Sequence, residues 1–272
     1  MRTPPNALTI AGSDPSGGAG VQADLKTFSA LGAYGTSVIT ALTAQNTLGV
    51  RGVHQVGVEF VALQLDTLLA DVEVDAVKIG MLATAALAQE IGRQLVRPEL
   101  VGVPVVLDPV MVATSGSRLL DADATDAVRA LLPMVDVITP NLPETGVLLD
   151  SPLPSTPGDM LAAAYALRGL GARRVLLKGG HLASDAGADD LWLDDAGATW
   201  LPALRVPTRN THGTGCTLSS ALAALRPRYD AWLPAVREAK AWLTAAIVAA
   251  DGLKVGAGHG PVHHFHELSR WA

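Results

Sequence analysis

The sequence predicts an α/β fold: a central, mostly parallel β-sheet between two layers of helices, with a small hairpin or flap at its edge. Three observations lead to it. Short runs rich in Val, Ile and Leu alternate along the chain with segments whose apolar residues recur every three or four positions, the pattern of a parallel sheet covered on both faces. Each run is bounded by Gly, Pro or Asn. No repeat, low-complexity tract or long linker interrupts the series, so residues 1–272 read as one domain, and 49% hydrophobic content is ample for a single large core.

In chain order, the strand candidates are ALTIAG from Ala7, TSVITALTAQ from Thr36, AVKIG from Ala76, VPVVLDPV from Val103, VDVITPN from Val135 and RRVLLKGG from Arg173. Between them VQADLKTFSALG, EFVALQLDTLLADV, ALAQEIGRQLV, ATDAVRALL and DMLAAAYALRGLG carry helical spacing. The pair DDLWLDD and TWLPALRV, around an Ala-Gly turn, predicts an antiparallel edge hairpin in which Trp192 and Trp200 pack. Two helices follow, Thr214 to Leu225 and Ala231 to Asp251. VRGVHQVGV from Val50 suits a flap over a ligand.

Composition excludes several classes. The net charge of −6 comes from scattered acids, and no run of Lys or Arg makes a nucleic-acid footprint. No apolar run reaches the roughly 18 residues of a membrane span. A single cysteine cannot form an intramolecular disulfide, and MRTPPNALTIAGSD lacks a signal-peptide core. The expectation is a cytoplasmic protein that binds neither nucleic acid nor membrane.

In open α/β sheets ligands bind beyond the carboxyl ends of the strands. Chemistry-bearing residues cluster there: Lys78 with Gly80 and Met81, Asp108, Asn141 with Glu144, and Lys178 with Gly179 and Gly180. The loop GSDPSGGAGVQADLKT, carrying Ser13, Asp14, Ser16 and Asp24, is not a Walker A loop, because no glycine in it precedes Lys and Ser or Thr. Gly18, Gly20 and Ala23 meet the loose dinucleotide spacing, yet no acid between Asp24 and Glu59 would hold a ribose. A small-ligand loop is the favoured reading.

The segment THGTGC is more specific. Gly213 and Gly215 let the backbone approach a ligand, and the amides from Gly213 to Cys216 open a helix as unpaired donors suited to a transferred phosphoryl group. Position alone leaves Cys216 two readings: a thiol of lowered pKa at a helix N-terminus, or a small buried packing residue. The histidines His259, His263, His264 and His266 lack a cysteine or acid pair to complete a zinc site.

Taken together, GSDPSGGAGVQADLKTFSALGAYG, TALTAQNT, KIGM, VLDPVMVATSG, TPNLPE, KGGH, NTHGTGCTLSSALA and GHGPVHHF resemble the hydroxymethylpyrimidine and phosphomethylpyrimidine kinases of thiamine biosynthesis, from Ala7 to Phe265. The resemblance implies a ribokinase-like α/β/α fold, ATP and Mg2+ as cofactors, a homodimer, and two phosphorylations of 4-amino-5-hydroxymethyl-2-methylpyrimidine. It puts the pyrimidine on Gly12, Asp24, Gln45, Met81 and Val110. Asp24 and Gln45 would pair the ring's adjacent donor and acceptor. It implies magnesium at Asp108 and Glu144, the nucleotide at Lys178, Thr208, Thr211 and Asn141, and catalysis at Cys216 with the Gly213 and Gly215 backbone. Cysteine replaces the aspartate base common in ribokinase-like enzymes, which also resembles one group of pyridoxal kinases. A neutral thiol would admit an anionic second substrate that an aspartate would repel. Pyridoxal kinase activity is the alternative within enzymes. A sensor that kept the fold without the chemistry would have lost Cys216, Lys178, Asn141 or Glu144, and none is lost.

Overall fold

The computed structural model describes residues 3–111, 124–180, 182 and 187–268. The VATSG end of VLDPVMVATSG and His181 of KGGH lie outside the described residues.

A nine-stranded sheet runs through the molecule in the order β3-β2-β1-β4-β5-β6-β7-β8-β9. Its strands are β1 (Asn6–Ser13), β2 (Tyr34–Asn46), β3 (Gly49–Gln55), β4 (Ala76–Ile79), β5 (Val105–Leu107), β6 (Val137–Ile138), β7 (Val175–Leu177), β8 (Asp190–Asp194) and β9 (Gly197–Leu201). The pairings from β2 to β7 are parallel, and β3, β8 and β9 pair antiparallel with their neighbours. Short parallel strands buried on both faces explain the continuous Val, Ile and Leu runs.

The helices are α1 (Gly20–Ala30), α2 (Val58–Leu69), α3 (Ala85–Gln94), α4 (Thr125–Leu131), α5 (Leu142–Leu149), α6 (Pro157–Gly169), α7 (Thr214–Leu225) and α8 (Trp232–Val248). Strand alternation separates two cores. Leu8, Ile10, Val77, Ile79 and Leu107 pack with residues of α2 to α6, whereas Ala7, Ala76, Val106, Leu176 and Trp192 meet α1, α7 and α8. Lys78 alternates onto the second face, under α1 and α7, and is fully buried there.

Two elements differ from expectation. The segment after TPN is a helix, α5, opened by a capping box: Asn141 Oδ1 accepts from the Glu144 amide at 2.8 Å and Glu144 Oε2 accepts from the Asn141 amide at 2.7 Å. The expected flap is strand β3, antiparallel to β2 and largely exposed. In the edge hairpin Trp192 is fully buried, but Trp200 is 38% exposed, so only the first packs as expected.

Candidate active site

A cavity of about 680 Å³ opens beyond the carboxyl ends of the central strands, within the usual range for ligand sites. Its ends differ chemically. At one, Gln45, Met81 and Val110 meet Gly12; at the other, Leu243 and Ile247 of α8 face Leu204. Gly12 is tight, because a Cβ there would lie 3.2 Å from Met81 Sδ.

Between the ends sits the start of α7. Its N-cap, Gly213, has φ of +77°, and a Cβ there would fall 1.7 Å from the carbonyl oxygen of Gly18. Glycine is therefore demanded by the packing of two loops and by left-handed backbone, rather than by approach to a ligand. Gly215 faces the site itself: a Cβ would lie 3.0 Å from Lys178 Nζ and 3.5 Å from Asp108 Oδ2. The Thr214 amide donates to the Thr211 carbonyl at 3.3 Å, while among the described residues the amides of Gly215 and Cys216 find no protein acceptor. These two donors, at a helix start, suit an anion.

Cys216 lines the cavity and is partly accessible. Burial pushes its thiol up to about 11; Lys78 and a hydrogen bond from the Gly20 amide pull it down, and Asp24 and Asp108 add to the rise. The lowered pKa expected at a helix N-terminus is thus overturned, because desolvation and two carboxylates outweigh the dipole. At neutral pH the sulfur is a thiol.

Lys178, Asp108 and Glu144 form a charged cluster beside Gly215. Lys178 Nζ lies 2.8 Å from Asp108 Oδ1 and 3.8 Å from Glu144 Oε2, and Asp108 Oδ1 also accepts from Thr139 Oγ1 at 3.0 Å. Burial works against the Lys178 ammonium, but Asp108 and Glu144 hold its pKa above the usual lysine range. Burial pushes the Glu144 carboxyl up to about 7, opposed by Lys178 and reinforced by Asp108. Both carboxylates keep one oxygen free of these contacts. Two such oxygens do not make a protein-only cage, but they fit a magnesium ion held mainly by nucleotide phosphates and water.

Two expected residues stand elsewhere. Asp24 has no exposed surface and does not line the cavity. Its Oδ1 accepts from Lys78 Nζ at 3.0 Å and Ser220 Oγ at 2.6 Å, and its Oδ2 accepts from Lys78 Nζ at 2.8 Å and Thr9 Oγ1 at 2.6 Å. The carboxylate serves as the counter-ion of a buried lysine, which removes it from direct ring contact. Burial disfavours the Lys78 ammonium, yet Asp24 more than compensates and raises its pKa. Thr208 is hydrogen-bonded to Asp251 and also lies outside the cavity lining, whereas Thr211, Asn141 and Lys178 line it.

Sequence reasoning gave no role to Asp14 and His212, which organise the pyrimidine-side loop. Asp14 Oδ2 accepts from the amides of Gly18 at 3.2 Å and Ala19 at 2.9 Å and lies 2.7 Å from His212 Nε2. Burial would raise the Asp14 carboxyl, but the hydrogen bonds from His212 and Ser16 prevail and hold it at about 2. The nearness of His212 to this loop depends on a contact 198 residues apart, which no local pattern announces. Lys240 was missed similarly: its Nζ binds the Ala188 carbonyl at 2.7 Å and Asp190 Oδ2 at 2.6 Å near the apolar end.

The histidine-rich tail has structural partners. His264 is buried with its Nε2 3.0 Å from Thr217 Oγ1, and His266 stacks on Trp242 at a centroid distance of 5.3 Å. Among the described residues no helix is long and apolar enough to cross a membrane.

The family model described as phosphomethylpyrimidine kinase matches residues 14–263. The hydroxymethylpyrimidine/phosphomethylpyrimidine kinase of Salmonella typhimurium is 57% identical over 262 residues, 96% of this chain and 97% of that protein. A thiamine biosynthesis bifunctional protein of Geobacter sulfurreducens is 47% identical over 260 residues, covering 95% of this chain and 52% of that longer protein. Among solved structures, the ADP complex of Bacillus subtilis pyridoxal kinase is similar with a TM-score of 0.88 and 35% identity, over 98% of this chain and 99% of that one.

Proposed function

The chain belongs to the phosphomethylpyrimidine kinase family, and from that premise we propose that it serves thiamine biosynthesis by phosphorylating 4-amino-5-hydroxymethyl-2-methylpyrimidine twice. ATP gives its terminal phosphoryl group first to the ring's hydroxyl, with release of a proton, and a second ATP gives one to the resulting phosphomonoester. The observation that carries the reading is one cavity with three zones: a ring end at Gln45 and Met81, the free amides of Gly215 and Cys216, and an apolar end at Leu243 and Ile247.

The ring lies against Gly12, Met81 and Val110 with Gln45 at its polar edge, and the nucleotide base fills the apolar end. Phosphoryl transfer is mostly positioning and charge stabilisation. The Gly215 and Cys216 amides receive the charge that develops on the transferred group, and Lys178 adds a fixed cation beside them. Asp108 and Glu144 hold magnesium, through water where their oxygens do not reach it. When bound, that ion neutralises charge on the nucleotide phosphates. Asn141 fixes Glu144 through the capping box.

Cys216 explains how one site serves two nucleophiles. An alcohol needs a hydrogen-bond acceptor as its proton leaves, whereas a phosphomonoester, with second pKa of about 6, is already a nucleophile at neutral pH. A thiol held near 11 is uncharged at pH 7 and leaves the second substrate unopposed. An aspartate there would repel it. Cys216→Asp should therefore lower the second transfer at least tenfold more than the first, and Cys216→Ala should harm the first transfer more than the second. Equal losses in both steps would make Cys216 a packing residue.

The continuous sheet supports one kinase domain. Exposed Leu42, Leu48 and Val53 on β2 and its β3 flank, with Phe60 and Leu63 on α2, support a homodimer, and the lone free thiol suits the cytoplasm. The test is an ATP-consumption assay with magnesium, comparing the hydroxymethylpyrimidine, its monophosphate and pyridoxal, with products separated chromatographically. Efficient use of both pyrimidines is the expected result. The 35% identity to a pyridoxal kinase makes weak pyridoxal turnover an expected side activity, and preferential pyridoxal turnover would overturn the assignment.

A further inference from the structure

His212 stands where the ring end of the cavity meets the start of α7. Its Nε2 is 2.7 Å from Asp14 Oδ2 and 3.4 Å from the Gln45 side-chain amide, and its backbone amide is held by the Gly260 carbonyl at 3.0 Å. Asp14 is an ionised acceptor, so the ring nitrogen facing it carries a proton. That fixes the tautomer: Nε2 is a donor.

The donor count then fixes Gln45. Thr43 Oγ1 has a single proton, directed to the acceptor-only carbonyl of Ser13 at 2.9 Å, and it meets the Gln45 amide at 3.2 Å as an acceptor. If the Gln45 nitrogen faces His212 and its oxygen faces Thr43, donor meets donor and acceptor meets acceptor. Half a turn about the last side-chain bond makes both contacts hydrogen bonds. The two ends of an amide are assigned by such a network, and here His212 and Thr43 agree. The amide oxygen lies toward His212, its nitrogen lies toward Thr43, and its outer donor-acceptor edge is left for the ligand.

We propose that His212 is a specificity-determining positioning residue that, by fixing the Gln45 amide, turns the reacting arm of an aminopyrimidine toward the anion-binding start of α7. The inference rests on the pyrimidine reading above and deepens it. In 4-amino-5-hydroxymethylpyrimidine the amino group lies between ring nitrogen N3 and the hydroxymethyl carbon. The amide oxygen takes the amino group and the amide nitrogen donates to N3. An oxygen on the His212 side therefore puts the amino group, and the hydroxymethyl beyond it, on the side of Gly213 to Cys216. A reversed amide pairs the ring equally well and turns the hydroxymethyl away. His212 thus governs productive orientation more than affinity, and the Asp14 carboxylate that aligns it also holds the loop amides of Gly18 and Ala19.

The test compares wild type, His212→Leu and His212→Gln, the last retaining a donor near the position of Nε2. Substrates are the aminopyrimidine and its analogue without the 4-amino group, whose orientation the amide does not set. His212→Leu should lower kcat for the aminopyrimidine about tenfold or more while its calorimetric Kd moves less than about threefold. Turnover of the deamino analogue should change much less, and His212→Gln should restore most of the loss. Equal loss on both substrates, or failure of Gln to restore turnover in a variant of wild-type melting temperature, would overturn the proposal. Unaltered kcat in His212→Leu would do the same. A wild-type enzyme that ignores the aminopyrimidine would instead defeat the functional reading itself, so the two failures are distinguishable.

Discussion

Asp24 shows how residue type and spacing can suggest a ligand contact that burial then reassigns. Its carboxylate accepts four hydrogen bonds beneath α7, two of them from the fully buried Lys78. A buried pair of this kind contributes little relative to apolar residues of the same volume, but removing one partner strands the other charge and costs about 3–5 kcal/mol. Asp24→Asn should therefore lower the urea midpoint by that free energy, and pairing it with Lys78→Met should recover much of the loss. A direct ring contact predicts something else: a raised KM for the pyrimidine with an unchanged midpoint. The same comparison decides whether the charge under Cys216 is structural, because Lys78 is the largest influence drawing that thiol's pKa downward.

Among the elements, the start of α7 combines the strictest backbone demand with the proposed anion site. An alanine at Gly213 would have to adopt φ of +77° and put its Cβ 1.7 Å from the Gly18 carbonyl oxygen, so one of the two loops must move. Displacing preorganised donors typically costs on the order of 10² in kcat. Gly213→Ala should lose at least that much, while Gly252→Ala, which meets nothing within 4 Å, should keep full activity. An active Gly213→Ala would show that the loop spacing is not functional. THGTGC was legible because glycine spacing reports a local backbone need. The buried strands were legible for a similar reason, since Val, Ile and Leu runs report burial on both faces. α5 was hidden by its own start: Asn141 and Glu144 drew attention as polar ligands, although Asn-Leu-Pro-Glu is also a capping box with proline at the first helical position. β3 was read as a flap because most of its side chains are exposed and carry no apolar alternation. The contacts of Asp24 with Lys78, and of Asp14 with His212, cross 54 and 198 residues; neither helical nor strand periodicity encodes such pairings.

At the scale of the molecule, the C-terminal segment joins parts of the site that are distant in sequence. His259 N–H binds the Thr47 carbonyl at the β2–β3 turn at 3.0 Å, Gly260 N–H binds Asn210 Oδ1 at 3.1 Å, and His264 reaches Thr217 in α7. The joint has a pH cost. Burial, and then the charges of Lys26, His263 and His266, lower the pKa of His264 from an ordinary 6.5 to about 3. A group whose folded pKa is depressed binds more protons in the unfolded chain between these values, so stability rises with pH across the window. The contribution is fully present above pH 6.5 and is lost as pH falls toward 3, by roughly 4–5 kcal/mol in all. Asp14, held at about 2 from an ordinary 3.8, loses its contribution only below pH 4, so losses between pH 6 and 4 belong to His264 rather than to the Asp14–His212 contact. Urea midpoints taken from pH 7.5 to 4 should fall steeply for wild type. His264→Gln, which keeps a partner for Thr217 but cannot take up a proton, should start lower at pH 7.5 and decline less. Parallel declines in the two proteins would place the acid sensitivity elsewhere and would mean that the C-terminal segment remains docked on α7 when His264 is charged.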